Sequence, residues 1–363
     1  MVFRGGGPLR QNEKWYFKGK QLNVVSSYKY LGAMITPKLV WSLCQKTLAT
    51  QARRGLYLLR RYDFACGGLP IDIQFNLFDS MIAPILLYGS EVWGFAETKY
   101  IEKVQTDYCK HILCVPSHTC NIAVLSETGR LPMYVHYYKR CVKYWLKLLE
   151  MPVTRYPNAC YGMLYTLDQH GHSTWASSIR ILLHSYGFQD VWNEQGVGNK
   201  YLFLKLFSDR VKQVYVDVWE YDISQSSKLT LFRSLKDSCT DTSSYLYNVT
   251  LRKYRSSLAK LRCSSHCLRI ERVRHVNELM AKRVCRLCEV NGSFILDDEY
   301  HFMLCCPLLS ILRNNYLPNW AMTDHSYRQL LVLLSSEDVE TQKNVSSYIY
   351  QANKLRKQLL QLL

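Results

Sequence analysis

The chain has 363 residues, and its 46 lysines and arginines outnumber 29 aspartates and glutamates, which gives a formal net charge of +17. Hydrophobic residues make up 48% of the chain, enough to bury a substantial core. The most apolar run, residues 80–89, is too short to cross a bilayer, so we expect no membrane partner. The excess of positive charge suits a polyanionic partner, most often nucleic acid.

Cysteine usage indicates the compartment. The 14 cysteines are scattered along the chain, and the N-terminal residues are basic and glycine-rich, unlike a secretory leader. We therefore expect an intracellular protein, in the nucleus or the cytoplasm. Most of its cysteines should be small buried side chains that bind metal only where they cluster.

The N-terminal segment, residues 14–36, has the pattern of short strands. The stretches KWYFKG and KQLNVV meet at Gly19, which indicates a hairpin, and YKYLGAMIT (28–36) is expected to add a third strand. After Pro37 the pattern becomes helical. We predict a mainly α protein with a short N-terminal β-hairpin segment.

Helical periodicity continues over most of the chain, apart from a looser region at about 151–200 in which residues 154–162 and 193–200 are expected to be loops. Pro84 should kink one helix or mark its late part, because proline has no N–H to donate. The predicted helices cover residues 44–62, 71–87, 98–114, 121–129, 131–150, 200–220, 244–262, 326–338 and 345–363.

Four potential metal ligands are clustered near the C-terminus. Cys285, Cys288, His301 and Cys306 have the spacing C-x2-C-x12-H-x4-C, which can close a tetrahedral Cys3His zinc site. Cys305 could replace Cys306 as the fourth ligand. Because all four positions are filled by protein, we expect the Zn²⁺ to be structural and not catalytic.

The segment between the ligands should form a small hairpin, with the turn at Asn291-Gly292. Asp297 and Asp298 follow this turn. A polymerase-type aspartate pair needs a further carboxylate from another strand, and no such residue stands in an obvious strand context. We predict a solvated turn at these two aspartates and no catalytic role for them.

Two further stretches, YKYLGAMIT (28–36) and FDSMIAPILLYGSEVWG (78–94), resemble the distal part of non-LTR retrotransposon reverse transcriptases. The block at 101–145 continues this resemblance without a gap. The Cys/His cluster, with the HFMLCCPLLSILR that trails it, resembles the C-terminal CCHC module of the same family.

The resemblance implies a layout. Residues 1–39 would be a remnant of the palm with the primer-grip strands, and 40–150 a helical thumb-like domain. Residues 151–275 would be a helical linker region, 276–313 the CCHC zinc knuckle and 314–363 C-terminal helices.

The family's catalytic carboxylates and its endonuclease would lie upstream, and no such motif occurs in this chain. The resemblance therefore implies a nucleic-acid-binding fragment without catalytic residues. We expect no Mg²⁺ site, and no polymerase activity from the chain on its own.

The partner that the resemblance implies is RNA or an RNA/DNA hybrid. The primer-grip turn would place Tyr30, Leu31 and Gly32 at the sugar-phosphate backbone, which can approach closely because Gly32 has no Cβ. Arg53 and Arg54 lie on the helix that follows. Without the resemblance, an ordinary strand glycine and a solvated helix face are the simpler interpretations.

A lysine ladder gives a second candidate surface. Lys139, Lys143 and Lys147 recur every four residues, which places them on one helix face, where they could follow a row of phosphates. Such a ladder is also typical of an ordinary solvated face. Trp145 should point into the core.

Two alternatives remain from the sequence. The chain could be a zinc-stabilised helical interaction module that binds a protein partner through its C-terminal helix (345–363). It could also be the product of a truncated gene model of an active RNA-directed DNA polymerase.

Overall fold

The structure, a computed structural model, describes residues 1–3, 7, 13–95, 98–276 and 278–362. Within these residues the protein is mostly helical, with two small antiparallel sheets near the N-terminus, which confirms the predicted fold class. None of the described helices combines the length and the apolarity that a membrane span requires. Several residues of the predicted palm remnant, 4–6 and 8–12, lie outside the described residues.

Four short strands form two hairpins, β1 (Trp15–Phe17) with β2 (Lys20–Leu22) and β3 (Tyr28–Tyr30) with β4 (Ala33–Ile35). The helices up to residue 225 are α1 (Ser42–Ala65), α2 (Ile71–Leu77), α3 (Ala83–Leu86), α4 (Ser90–Trp93), α5 (Lys99–Leu113), α6 (Asn121–Glu127), α7 (Met133–Leu149), α8 (Tyr156–Gln169), α9 (Trp175–Ser185), α10 (Gln189–Asn193) and α11 (Lys200–Gln225). The helices that follow are α12 (Thr230–Leu235), α13 (Tyr245–Asn248), α14 (Arg252–Arg262), α15 (Arg269–Arg272), α16 (Arg286–Glu289), α17 (Ser310–Tyr316), α18 (Tyr327–Ser335) and α19 (Val339–Leu362).

The chain forms two compact units. Unit 1 contains Met1–Gln105 and Pro132–Gln213, and unit 2 contains Thr106–Leu131 and Val214–Leu363. Each unit is assembled from two stretches that are not consecutive in sequence. The five domains predicted from the sequence are consecutive stretches of the chain, whereas the two compact units are not. The five-domain division stays a prediction.

Both hairpins reverse through two residues with positive φ. Lys18 (47°) and Gly19 (76°) join β1 to β2, which confirms the hairpin predicted there. Leu31 (45°) and Gly32 (89°) join β3 to β4 in the same way. The prediction of one continuous third strand over 28–36 was therefore wrong, because positive φ at two successive residues turns the chain back on itself.

The helix predicted at 71–87 is divided into α2, a π-helical turn (Phe78–Ile82) and α3. Pro84 lies in the first turn of α3 and cannot donate a backbone hydrogen bond. The N–H of Ala83, just before it, donates to the carbonyl oxygen of Phe78, five residues back. The predicted interruption at Pro84 is thus present, as a wider turn.

The region 151–200 is more ordered than the sequence suggests. Residues 156–162, predicted as part of a loop, form the start of α8, and Pro157 occupies its first turn, where the missing N–H needs no helical partner. Thr174 caps α9 by accepting a hydrogen bond from the N–H of Ser177 at 3.3 Å. The second predicted loop is confirmed between the end of α10 and the start of α11.

Helix α7 is a central element of unit 1. The backbone N–H groups of its first two residues donate to the Glu102 carboxylate at 2.8 and 2.9 Å. As predicted, Trp145 is fully buried, and its indole N–H donates to the hydroxyl oxygen of Tyr161 at 2.8 Å. The Trp192 ring stacks on the Trp145 ring, with the ring centroids 6.0 Å apart. These contacts fix which face of α7 points outward.

Helix α19 has a corresponding role in unit 2, where it contacts α13, α14, α16, α17 and α18. The helix predicted at 345–363 is present, but it begins at Val339. Its buried side chains include Val345, Tyr348, Ile349, Ala352 and Arg356. The stretch from Val345 to Arg356 therefore packs within its own unit, and a protein partner would have to use the exposed remainder of α19.

A substitution at Gly129 should separate steric crowding from backbone strain. Gly129 has a φ of 61°, and an added Cβ would lie 2.6 Å from the backbone nitrogen of Thr242. We expect Gly129→Ala to lower the free energy of unfolding by about 3 kcal/mol. Gly171→Ala, at a φ of 83° with open space around it, should cost only about 1 kcal/mol. Equal losses in urea denaturation would contradict the role given to the Thr242 contact.

Candidate metal centre and basic surface

Four side chains converge in unit 2, and they are the four that the sequence spacing identifies: Cys285, Cys288, His301 and Cys306. Their candidate ligand atoms all lie within 4.8 Å of one another, and all four residues are buried. Cys305, the alternative fourth ligand, lies outside this group and is partly exposed. The cluster could hold one metal ion, with Cys306 completing the set.

The first two ligands come from a tight turn enclosed by a short antiparallel contact. Val284 and Leu296 form an isolated bridge, and inside it the N–H of Cys288 donates back to the carbonyl oxygen of Cys285 at 3.0 Å. Gly292, with a φ of 77°, lies in the returning turn. The predicted hairpin is therefore reduced to a single bridge around one helical turn, which points both thiols to the same side.

The other two ligands lie at the ends of a π-helical turn, His301–Cys305 and the residue after it. The N–H of Cys306 donates to the carbonyl oxygen of His301 at 2.8 Å. The carboxylate of Asp298 accepts from the N–H of His301, also at 2.8 Å, and holds the start of this turn. Such wide turns occur often at functional sites, because they redirect side chains that an α-helix would separate.

The distances fit a tetrahedral metal. With metal–sulfur bonds of ~2.3 Å, two sulfurs of a regular tetrahedron lie ~3.8 Å apart. The sulfurs of Cys288 and Cys306 are 3.8 Å apart, and Nε2 of His301 lies 3.3 Å from the sulfur of Cys288. The other ring nitrogen of His301, Nδ1, is buried and has no hydrogen-bond partner among the described residues. The imidazole thus offers Nε2 to the centre of the cluster.

The three thiols have very different proton affinities. The hydrogen bond from Cys306 is the largest cause that lowers the pKa of Cys285 to about 2. The same contact raises the pKa of Cys306, and burial raises the pKa of Cys288. A divalent cation at the centre would favour the thiolate form of all three.

Arg356, from α19, lies against the cluster. Its Nη1 is 3.5 Å from the sulfur of Cys285, and its Nη2 donates to Oδ2 of Asp297 at 2.8 Å. Asp297 is only 2% exposed and also accepts from the N–H of Arg269 at 2.9 Å. The prediction of a solvated turn was therefore wrong for Asp297, because an arginine 59 residues away supplies a buried partner.

Two more side chains attach the cluster to the helices of unit 2. Nη2 of Arg313 donates to the carbonyl oxygen of Cys306 at 2.7 Å, and the hydroxyl of Tyr348 donates to that of Phe302 at 2.7 Å. Both arginine and tyrosine are buried. The candidate metal centre is thus embedded in a helical core and does not stand apart as a small module.

The predicted primer-grip residues lie at the tip of the second hairpin in unit 1. Tyr30 and Leu31 are 57% and 74% exposed. The hydroxyl of Tyr88 donates to the carbonyl oxygen of Leu31, and a Cβ at Gly32 would lie 3.4 Å from the Tyr88 ring. Gly32 is therefore explained locally by its positive φ and by the nearby tyrosine, and contact with a nucleic acid stays a prediction.

The predicted basic residues of unit 1 are all exposed. Arg53 and Arg54 lie on the outer face of α1. Lys139, Lys143 and Lys147 lie along the outer face of α7, opposite the buried Trp145. This places each group on one helix, as expected.

Sequence reasoning missed several residues on the same surfaces. On α7, His136 and Arg140 are also exposed, at the i, i+4 spacing that the helical pattern could have indicated. On α1, the exposed aromatic side chains are Tyr57 (63%), Tyr62 (65%) and Phe64 (87%). Their exposure could not be read from the sequence, because aromatic residues at helical spacing usually belong to a core.

Comparison of the chain with protein-family models, with curated proteins and with solved structures finds no match. The resemblance to non-LTR retrotransposon reverse transcriptases therefore stays a prediction from the sequence.

Proposed function

We propose that this chain is a nucleic-acid-binding protein, stabilised by a structural zinc ion and derived from the thumb and zinc-knuckle part of a non-LTR retrotransposon reverse transcriptase. In this proposal it binds RNA or an RNA/DNA hybrid and carries out no polymerase chemistry alone. The observation that carries the proposal is the outer face of α7, where every exposed side chain is lysine, arginine or histidine.

The composition of that face matters because most solvated helix faces mix charges of both signs. The exposed residues of α7 are His136, Lys139, Arg140, Lys143 and Lys147, with no acidic residue among them. Like charges in a row repel one another, and an anion that binds along this face would relieve that repulsion. Phosphates are the polyanion that most proteins with this charge meet.

Helix α1 supports the same interpretation. Its one acidic residue, Asp63, is buried and accepts a hydrogen bond from the N–H of Leu69 at 2.6 Å. The exposed face therefore carries arginines and exposed aromatic rings, and α1 itself adds no acidic side chain to it. Cations that neutralise phosphates, alternating with rings on which bases stack, are typical of surfaces that bind single strands.

Zinc is the metal that best suits the cluster in unit 2. Three thiolates and one imidazole are soft or borderline donors, which disfavours Mg²⁺ and Ca²⁺. Four buried protein ligands leave no open position for a substrate. The ion would therefore hold the turns of the cluster together, and the nucleic acid would bind elsewhere.

Salt dependence tests the role of α7. Lys139→Gln, Lys143→Gln and Lys147→Gln, combined in one variant, should weaken binding of a labelled RNA hairpin in fluorescence anisotropy. The slope of log affinity against log salt should become shallower by about 2 to 3, because each lost phosphate contact contributes about 0.7 to 0.9.

The matched control removes the same charge from another helix. Lys343, Lys354 and Lys357 are exposed on α19, and their combined replacement by glutamine should leave the salt slope nearly unchanged. If the unmodified chain does not bind the RNA at ~50 mM salt, where phosphate contacts are strongest, the proposed function is wrong. An affinity that does not change with salt concentration would instead favour the protein-interaction alternative.

A further inference from the structure

A basic cleft of about 760 Å³ lies in unit 2, beside the candidate metal centre. Its size falls within the range of small-molecule and cofactor sites. Arg286, which lines it, stands between the ligands Cys285 and Cys288, and Arg356 lies in its wall. The cleft thus shares a lining residue, Arg286, with the first of the two turns that would hold the metal.

The acidic residues of the cleft are already neutralised. Asp297 pairs with Arg356 at 2.8 Å, and Glu278 pairs with Arg269 at 2.5 Å. These two ion pairs form a fixed part of the wall with no net charge. They leave the remaining cations of the cleft uncompensated.

Three such cations line the cleft, namely Arg272, Lys282 and Arg286. In the described part of the chain none of their side chains has an ion-pair or hydrogen-bond partner. With the two ion pairs cancelled, the cleft has a charge of +3. Two of the three are guanidinium groups, whose planar array of donors matches the oxygens of a phosphate.

The same cleft has an apolar side. Val276 and Leu279 are 73% and 69% exposed, and Val273 and Leu360 complete this part of the wall. An inorganic anion would satisfy the cations but leave these side chains in water. A ligand that joins phosphate groups to a flat, weakly polar ring would cover both parts.

We infer that this cleft binds a nucleotide, with its phosphates on Arg272, Lys282 and Arg286 and its base against Val276 and Leu279. The nucleotide could be a free nucleoside polyphosphate or one unit of a single strand, since both present the same chemistry. The inference goes beyond the proposed function, because it rests on unit 2 and does not need the basic face of α7.

Two probes distinguish the sources. The full-length, zinc-loaded chain is titrated with adenosine triphosphate that carries a fluorescent label on its ribose, and separately with a labelled single strand of eight thymidines. Arg272→Gln, Lys282→Gln and Arg286→Gln, combined, should weaken at least one probe about tenfold or more, because each charge-assisted contact contributes strongly. If the triple variant loses binding of the labelled triphosphate, the cleft is a site for free nucleotides. If it loses binding of the thymidine strand alone, the cleft is a site for single-stranded nucleic acid.

The control is the variant with three glutamines on α7, which removes the same charge from unit 1. It should change the affinity of the labelled triphosphate by less than about twofold, since no residue of α7 lines the cleft. If both triple variants weaken the probes equally, or if neither does, the cleft is not a nucleotide site. Binding of the labelled RNA hairpin in fluorescence anisotropy does not depend on that result, so the two proposals fail separately.

A further variant tests the proposed contact between the nucleotide base and the apolar side of the cleft. Leu279→Ser should weaken the labelled triphosphate several-fold and leave the binding of inorganic tripolyphosphate unchanged, because only the apolar contact is removed. If tripolyphosphate competes as strongly as the nucleotide and Leu279→Ser affects neither, the ligand is a bare polyanion and the inference of a nucleotide is wrong. The zinc content of each variant is measured alongside, so that damage to the metal centre is recognised.

Discussion

Cys306→Ser should abolish zinc binding and destabilise unit 2, whereas Cys305→Ser, one residue earlier, should leave both zinc binding and stability unchanged. The sulfur of Cys306 lies 3.8 Å from that of Cys288 inside the buried cluster. Cys305 lies outside the cluster. The two variants remove the same atom type from neighbouring positions, so a general effect of thiol loss cancels between them.

The expected size follows from the coupling between binding and folding. A metal that binds only the folded chain adds about 4 kcal/mol of stability when its concentration is a thousand times its dissociation constant. Structural zinc can contribute more, because the unfolded chain has no preformed site. For a unit of this size, a loss of about 4 kcal/mol corresponds to a drop in Tm of about 10 °C.

Metal analysis and thermal unfolding are the measurements. The unmodified chain and Cys305→Ser should contain one equivalent of zinc, and a chelator should lower Tm in both. Cys306→Ser should contain less than one equivalent and respond little to the chelator. A Cys306→Ser chain that keeps its zinc while Cys305→Ser loses it would show that the ligand set has been assigned wrongly.

The candidate ligand set could be predicted from the sequence because its geometry is largely local. Cys285 and Cys288 are joined by one turn, and His301 and Cys306 by another, so spacing alone limits how far apart their donors can be. The choice between Cys305 and Cys306 could not be made from the spacing. It depends on the π-helical turn, which no residue pattern in the sequence predicts. This turn brings Cys306, five positions after His301, to the same side of the backbone as His301.

Buried ion pairs between residues far apart in sequence could not be predicted from the sequence. The buried pair of Asp297 and Arg356 joins residues 59 positions apart, and the pair of Glu127 and Arg262 joins residues 135 apart. Neither arginine stands out from the many others in a basic chain. The assembly of each unit from two separate stretches likewise depends on packing, which periodicity along one helix does not encode.

Several acidic residues are buried, so the net charge of the chain does not describe the charge of its surface. Buried acidic residues in the described chain include Asp63, Glu102, Glu127, Asp168 and Asp297. Several hold backbone N–H groups or arginines within a unit, as Glu102 does at the start of α7. These carboxylates are used in internal contacts, so the surface carries fewer acidic groups than the composition suggests.

Arg356→Met should be the most destabilising arginine substitution near the metal centre, at about 3 to 5 kcal/mol. It would leave Asp297 buried beside a cluster that, with three thiolates and one Zn²⁺, carries a charge of −1. Arg286→Met is the control, because Arg286 is exposed, adjoins Cys285 in sequence and has no ion-pair partner among the described residues. It should change stability by no more than about 0.5 kcal/mol.

Adding Asp297→Asn to Arg356→Met should restore part of the lost stability. The second substitution removes the unpaired buried charge, while the asparagine side-chain oxygen can still accept from the N–H of Arg269. Urea denaturation of the zinc-loaded single and double variants gives the coupling energy directly. If the two substitutions simply add, Asp297 is not held by Arg356, and the arginine would stabilise the centre through the thiolate of Cys285 instead.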